Sequence, residues 1–213
     1  AYQHGKLVAE AAQGKVSTII PTAADRNKAL LEPAKGYQYL YRVNCGGDAY
    51  RDSYGNLWQE DDSLCSTSWA HRFGLQPFLA SQGHILSTIH GTSDASLFQY
   101  FRWGRHELNY NFNLPNGSYR VELYFVEPWH GAGGGVKTDC EGERIFDVAV
   151  NNSVVLNDFD PWAEGGFAGA IGHVVEAKVN QGQLKISFPE TKAGEAAIAA
   201  IAIAQKDNAP QAE

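Results

Sequence analysis

From His106 to Leu114 apolar and polar residues alternate, with Leu108, Tyr110, Phe112 and Leu114 on one face. Pro115-Asn116-Gly117 follows, and Tyr119, Val121, Leu123 and Phe125 then alternate again. A period of two marks a strand with one buried face, and Pro-Asn-Gly supplies the positive φ of a tight turn, so this stretch predicts a central hairpin. Val174–Val179 and Leu184–Phe188, joined by Asn180-Gln181-Gly182, predict a second hairpin. Further strands are expected at Tyr37–Val43, Ile85–Ile89, Leu97–Trp103, Arg144–Val150 and Val154–Phe159, with a turn at Asn151-Asn152. Ala196–Ala204 is apolar throughout and reads as a buried closing strand. Short strands separated by turns about every 8–12 residues, with no helix-period segment, predict an all-β chain folded as a sandwich or jelly roll.

Division of the chain follows from the same pattern. Residues 1–20 read as short strands around His4-Gly5 and Gln13-Gly14, as if they were the last strands of a preceding β-sandwich. Residues 21–36, with Pro21, a polar run and Pro33, read as a linker. The main domain spans 37–205, and the polar tail 206–213 is expected to be disordered. Ala1-Tyr2-Gln3, without an initiating Met, is read as the start of a chain cut from a longer precursor.

Charge and composition narrow the partners. The net charge of −7 argues against nucleic acid and against an anionic membrane surface, both of which reward a basic face. No apolar run approaches the roughly 20 residues that span a bilayer. Three cysteines, Cys45, Cys65 and Cys140, match no metal or redox spacing; buried free thiols, or one disulfide plus one thiol, both fit. No cofactor is implied. Asp48, Asp52 and Glu60-Asp61-Asp62 have the oxygen density of a calcium site without the twelve-residue loop spacing, and a solvated acidic turn competes with that reading.

Nothing specific supports catalysis. Glu127, Asp139, Glu141 and Glu143 cluster around a glycine-rich loop, yet acidic loop residues in an acidic protein are ordinarily just solvated. There is no Gly-x-Ser-x-Gly elbow, and the histidines lack paired metal spacing. Binding is better supported. Trp69, Trp103 and Trp129 fall in loops or at strand ends, in the company of Arg72, Glu127 and His130. A sugar presents an apolar face and a rim of hydroxyls, so its receptor needs a flat ring beside hydrogen-bonding side chains. Trp58 and Trp162 are assigned to packing instead.

Several blocks, in order, carry a family resemblance: Tyr41-Arg-Val-Asn-Cys-Gly-Gly, Asp52-Ser-Tyr-Gly-Asn-Leu-Trp58, Leu97-Phe-Gln-Tyr-Phe-Arg-Trp-Gly104, Leu114 to Glu127, Arg144-Ile-Phe-Asp-Val-Ala-Val-Asn151, Val155 to Asp160, and Ala197 to Ile203. Together they resemble a malectin-type domain over about residues 38–204. The resemblance implies a jelly-roll-like β-sandwich whose end loops bind carbohydrate, held in the family by aromatics and an aspartate. Carried over, the aromatic positions fall on Trp103, on the pair Trp129 and His130, and on Trp69 in the irregular loop; the family's aspartate falls near Gly194-Glu195, with Glu195 as its substitute. The loop Trp129 to Arg144 and the N-terminal Tyr2 to Glu10 are also similar to the C-terminal part of bacterial β-galactosidase-like enzymes of glycoside hydrolase family two. That similarity implies a non-catalytic module behind an immunoglobulin-like domain (here residues 1–20), a parent catalytic domain as partner, and a periplasmic or secreted setting. The competing reading is a structural accessory domain with a decayed sugar site.

Overall fold

The computed structural model describes residues 10–11, 14–17, 30–61, 81–104, 108–132 and 139–207. Its strands are β1 (Glu10–Ala11), β2 (Gly14–Ser17), β3 (Tyr37–Asn44), β4 (Tyr50–Arg51), β5 (Leu57–Glu60), β6 (Ser81–His84), β7 (Tyr100–Gly104) and β8 (Asn109–Asn113). They continue with β9 (Gly117–Phe125), β10 (Ile145–Val150), β11 (Ser153–Phe159), β12 (Ile171–Val179), β13 (Gln183–Ser187), β14 (Thr191–Ala193), β15 (Ala196–Ile198) and β16 (Ala200–Lys206). Among the described residues two single-turn helices interrupt them, α1 (Ala95–Gln99) and α2 (Pro161–Gly165). The architecture is the expected all-β sandwich. One sheet runs β1-β2-β12-β9-β16-β3-β5-β4, the facing sheet runs β11-β10-β13-β8 with β14 also on β10, and a small third sheet runs β15-β7-β6.

The core lies between the two large sheets. Val121, Leu123 and Phe125 of β9 face Tyr110 and Phe112 of β8, Phe146 and Val148 of β10, and Leu184 and Ile186 of β13, all of them buried. Alternation along β9 sends Tyr124 to the other face, where it joins Trp58, Ile85, Ile89, Leu97 and Phe98 in a second apolar cluster. β16 sits between β9 and β3 and is covered on both faces. Ile201 and Ile203 therefore point into the first cluster while Ala200 and Ala202 point into the second, which accounts for a run with no polar interruption.

Both predicted hairpins prove to be something else. β8 pairs with β13 and β9 pairs with β12 and β16, so Pro115-Asn116-Gly117 carries the chain from one sheet to the other. Asn180-Gln181-Gly182 does the same between β12 and β13. Strands joined by an arch bury their apolar faces toward each other across the core, whereas hairpin strands bury them side by side, and alternation reads the same in both cases. The two arches are stitched together: Leu114 N–H donates to the Gly182 carbonyl (3.0 Å), and Gly182 N–H donates to Asn116 Oδ1 (3.0 Å). A tight hairpin does form at Asn151-Asn152, with φ of 49° and 66°, joining β10 to β11.

Three strand expectations are also adjusted. The strand expected over Ile85–Ile89 lies earlier, at β6, and Leu97–Trp103 splits into α1 followed by β7. Ala196–Ala204 breaks at Ala199 into β15, on the small sheet, and β16, on the large one. The described part of residues 1–20 is hydrogen-bonded to the edge of the large sheet, with β2 paired to β12 through Val16↔Val175 and Ser17↔Val174. Cys45 and Cys140 are buried, and Cys65 lies outside the described residues. No helix among the described residues is long and apolar enough to cross a membrane.

Candidate functional site

β9 ends at Phe125, and the chain leaves the sandwich as Val126-Glu127-Pro128-Trp129-His130-Gly131. Glu127, a proposed ligand contact in the sequence, lies beneath the surface it was expected to line and has no exposed area. Its Oε2 accepts Arg144 Nε–H (2.6 Å), and its Oε1 accepts Arg144 Nη2–H (3.3 Å) and the backbone N–H groups of Trp129 (2.8 Å) and His130 (2.9 Å). A buried carboxylate needs this many donors, because an unpaired one would be strongly disfavoured away from water. The carboxylate expected to contact a sugar thus fixes the backbone of the loop that carries Trp129 and His130.

Above this pair the chain closes a turn, Ala132 N–H donating to the Trp129 carbonyl (3.2 Å). Gly131 sits at φ +89°, where a Cβ would lie 2.9 Å from Trp162 Nε1 and 3.1 Å from the Phe167 Cβ. The position therefore needs glycine both for its dihedral and for the indole packed beneath it. Trp162 is half-buried there on α2, whose cap is Asp160. Asp160 Oδ1 accepts from Trp162 N–H (2.9 Å) and Ala163 N–H (3.1 Å), and Oδ2 from Gly142 N–H (2.6 Å), so one carboxylate ties two neighbouring loops. The outcome is a braced platform on which the Trp129 side chain is 74 % exposed.

Arg144 joins that platform to the other proposed residues. Its Nη1–H donates to the backbone carbonyl of Glu195, just ahead of β15. On β15, Ala197 lies directly opposite Trp103 of β7. Trp129, His130, Glu127, Glu195 and Trp103 are therefore gathered at one end of the sandwich by a continuous set of bonds and strand pairs. His130, Glu195 and Trp103 are each half-buried. Arg102, next to Trp103, turns the opposite way and is buried in a fork on Asp61 (2.9 and 2.8 Å), which also accepts the Tyr110 hydroxyl (2.7 Å). Trp69 and Arg72 lie outside the described residues.

Two carboxylates of the acidic segment after β3, Asp52 and Asp61, are occupied by protein donors. Asp52 accepts from Tyr54 N–H, Asn56 N–H and Trp58 Nε1–H at 2.8 to 3.0 Å, which organises the β4–β5 turn and buries Trp58. Among the described residues no group of three or more His, Cys, Asp or Glu is arranged to hold a metal ion. Asp139, Glu141 and Glu143 are exposed, and Glu127 is tied to Arg144. Sequence reasoning missed Arg144 and Asp160, whereas Trp162, assigned to packing, does pack beneath Gly131. The only hint was position: an Arg immediately before an apolar strand, and an Asp-Pro pair of the kind that caps a helix.

The model of the malectin domain family matches residues 39–210. Human malectin is 24 % identical over 149 residues, which is 69 % of this chain and 45 % of that protein. A probable LRR receptor-like serine/threonine-protein kinase of Arabidopsis thaliana is 28 % identical over 179 residues, 71 % of this chain and 16 % of the kinase. Among solved structures, Bacteroides uniformis β-glucuronidase 2 matches with a TM-score of 0.60 and 22 % identity, over 76 % of this chain and 17 % of that one. The chain spans less than half the length of each of these proteins, and the likeness to the glucuronidase is one of fold.

Proposed function

The chain belongs to the malectin domain family, whose domains are non-catalytic carbohydrate-binding modules, and from that premise we propose that the Trp129 platform is its sugar-facing surface, serving to hold a parent glycoside hydrolase against oligo- or polysaccharide. The observation that carries this reading is the 74 % exposure of Trp129 on a loop whose backbone is fixed from below by a buried Glu127–Arg144 pair. A large indole is rarely left in water on a braced loop without a flat apolar partner to stack on it. Trp129 provides the stacking face, and His130 and Glu195 provide polar contacts at its margin. Trp103 adds a second ring at the same end, and Trp69 and Arg72, which lie outside the described residues, are assigned to the surface from the sequence alone. Glu127 acts through the loop as a positioning residue.

The parent enzyme is supported by the similarity of the 129–144 loop to β-galactosidase-like enzymes and by a glucuronidase of which a matching fold makes up 17 %. Residues 1–20 belong in this reading to the end of a preceding immunoglobulin-like domain, and the pairing of β2 with β12 is the physical link between the two. A periplasmic or secreted setting goes with both assignments.

The test is intrinsic tryptophan fluorescence titrated with neutral gluco- and galacto-configured oligosaccharides, on the parent protein and on Trp129→Ala. A saturable change is expected with one sugar class, and loss of the stacking face, worth about 1–1.5 kcal/mol, weakens it roughly tenfold. No response to any sugar from a protein shown folded by circular dichroism would instead support a structural accessory domain.

A further inference from the structure

At the end of the sandwich away from Trp129, a groove of about 710 Å³ lies between the Asn151–Ser153 hairpin turn and the Asn180–Gly182 arch. The nine residues of β9 separate the two ends, Gly117 pairing with Val179 beside the groove while Phe125 leads into the Trp129 loop. That distance is about 30 Å at the rise of an extended strand.

The groove is built on fixed backbone. Asn151 donates through Nδ2 to the Lys178 carbonyl (2.9 Å) and accepts Lys185 N–H at Oδ1 (2.9 Å), which locks β12, β13 and the hairpin turn together. Val155 and Val175 form a buried floor. The rim is different in kind. Asn152, Asn180 and Gln181 are exposed, and their side-chain amides have no partner among the described residues. Lys178 and Lys185 also line it, exposed and without an ion pair among the described residues; Glu176 is the single carboxylate of the described lining.

We propose that this groove is a second ligand site, independent of the Trp129 surface, that takes a hydroxyl-rich saccharide carrying carboxylates. The chemistry of the rim selects that class. An amide donates and accepts within one group, as the hydroxyls of a sugar do, and two unpaired ammonium groups favour an anion. No aromatic is present among the described lining residues, so neutral sugars lack a stacking face there, and a protein partner lacks the apolar anchor that protein interfaces are built around. The lining has too few carboxylates for a hard cation. Two sites about 30 Å apart let one module engage two stretches of a polysaccharide, with the gain in avidity that a linked second contact brings.

Calorimetric titration with tetragalacturonate as the probe tests this on the parent protein, on Trp129→Ala and on the double variant Asn180→Ala/Lys185→Gln. The parent protein and Trp129→Ala are expected to bind the probe within twofold of each other, and the double variant at least tenfold more weakly, with weaker binding as salt is raised. The double variant should keep the parent protein's fluorescence response to neutral sugars, so the groove and the Trp129 surface fail or succeed separately. Absence of binding by the parent protein, equal binding by the double variant, or loss of binding in Trp129→Ala overturns the proposal.

Discussion

Removing the Glu127 carboxylate should unsettle both the fold and the platform, and the structure fixes the expected size. In Glu127→Ala the Arg144 guanidinium stays buried with its partner gone, and two backbone N–H groups, those of Trp129 and His130, lose their acceptor. Breaking one side of a buried ion pair costs about 3–5 kcal/mol. At about 2–4 °C of Tm per kcal/mol for a domain of this size, a loss near 4 kcal/mol lowers Tm by roughly 8–16 °C. The companion variant Glu127→Met/Arg144→Met separates the causes. It removes both charges, so most of the lost stability should return, because an apolar pair of similar volume replaces an ion pair at little cost. The two loop amides still lack an acceptor, so Trp129 should remain mobile, with acrylamide quenching raised and neutral-sugar affinity still weakened. Thermal unfolding followed by circular dichroism reads the first quantity, and quenching and titration read the second. A Tm within about 2 °C of the parent in Glu127→Ala would refute the reasoning, as would a double variant no more stable than the single one.

Two further outcomes follow from particular contacts. Gly131→Ala forces a Cβ against the Trp162 indole at a φ of +89°, and should cost about 1–3 kcal/mol in denaturant unfolding while weakening the neutral-sugar response. At high pH, Tyr39 is held to about 12 by burial and then by the Glu122 carboxylate, Tyr50 to about 12 by burial and then by its bond to Asp94, and Tyr124 is raised by burial beside Glu122. Each is therefore neutral in the folded protein at a pH where the unfolded chain ionises, so stability is full below pH about 10 and falls as pH rises toward 12 and beyond. Tyrosinate absorbance should show a late-titrating group of residues that merges with the rest on unfolding; a single titration near the ordinary value in the native protein would contradict it.

The strands were legible because each buries one face, and alternation records burial directly. β9, β10, β11 and β12 lie within a few residues of where the pattern placed them. Pairing was not legible, since Leu114-Pro115-Asn116-Gly117 and Val179–Gly182 look the same locally whether the next strand lies alongside or across the core. The Ala196–Ala204 run concealed its break for a related reason: every position is buried, so no polar residue marks the change of sheet at Ala199. At the site, the exposed Trp129 was readable from its proline and glycine neighbours. The true position of Glu127 was not, because a carboxylate's burial depends on a partner 17 residues away in sequence. Arg144 carried no sequence mark that separated it from a solvated strand-end arginine.

The platform itself is tested most directly by mapping amide and indole N–H chemical shifts during titration with the neutral oligosaccharide that gives the largest fluorescence response. The account predicts the largest shifts at the Trp129 indole, His130 and Gly131, with smaller ones at Trp103 and Glu195 and none at Asn152 or Gln181. Shifts confined to another part of the surface, or a Trp129 indole resonance unmoved at saturation, would contradict it.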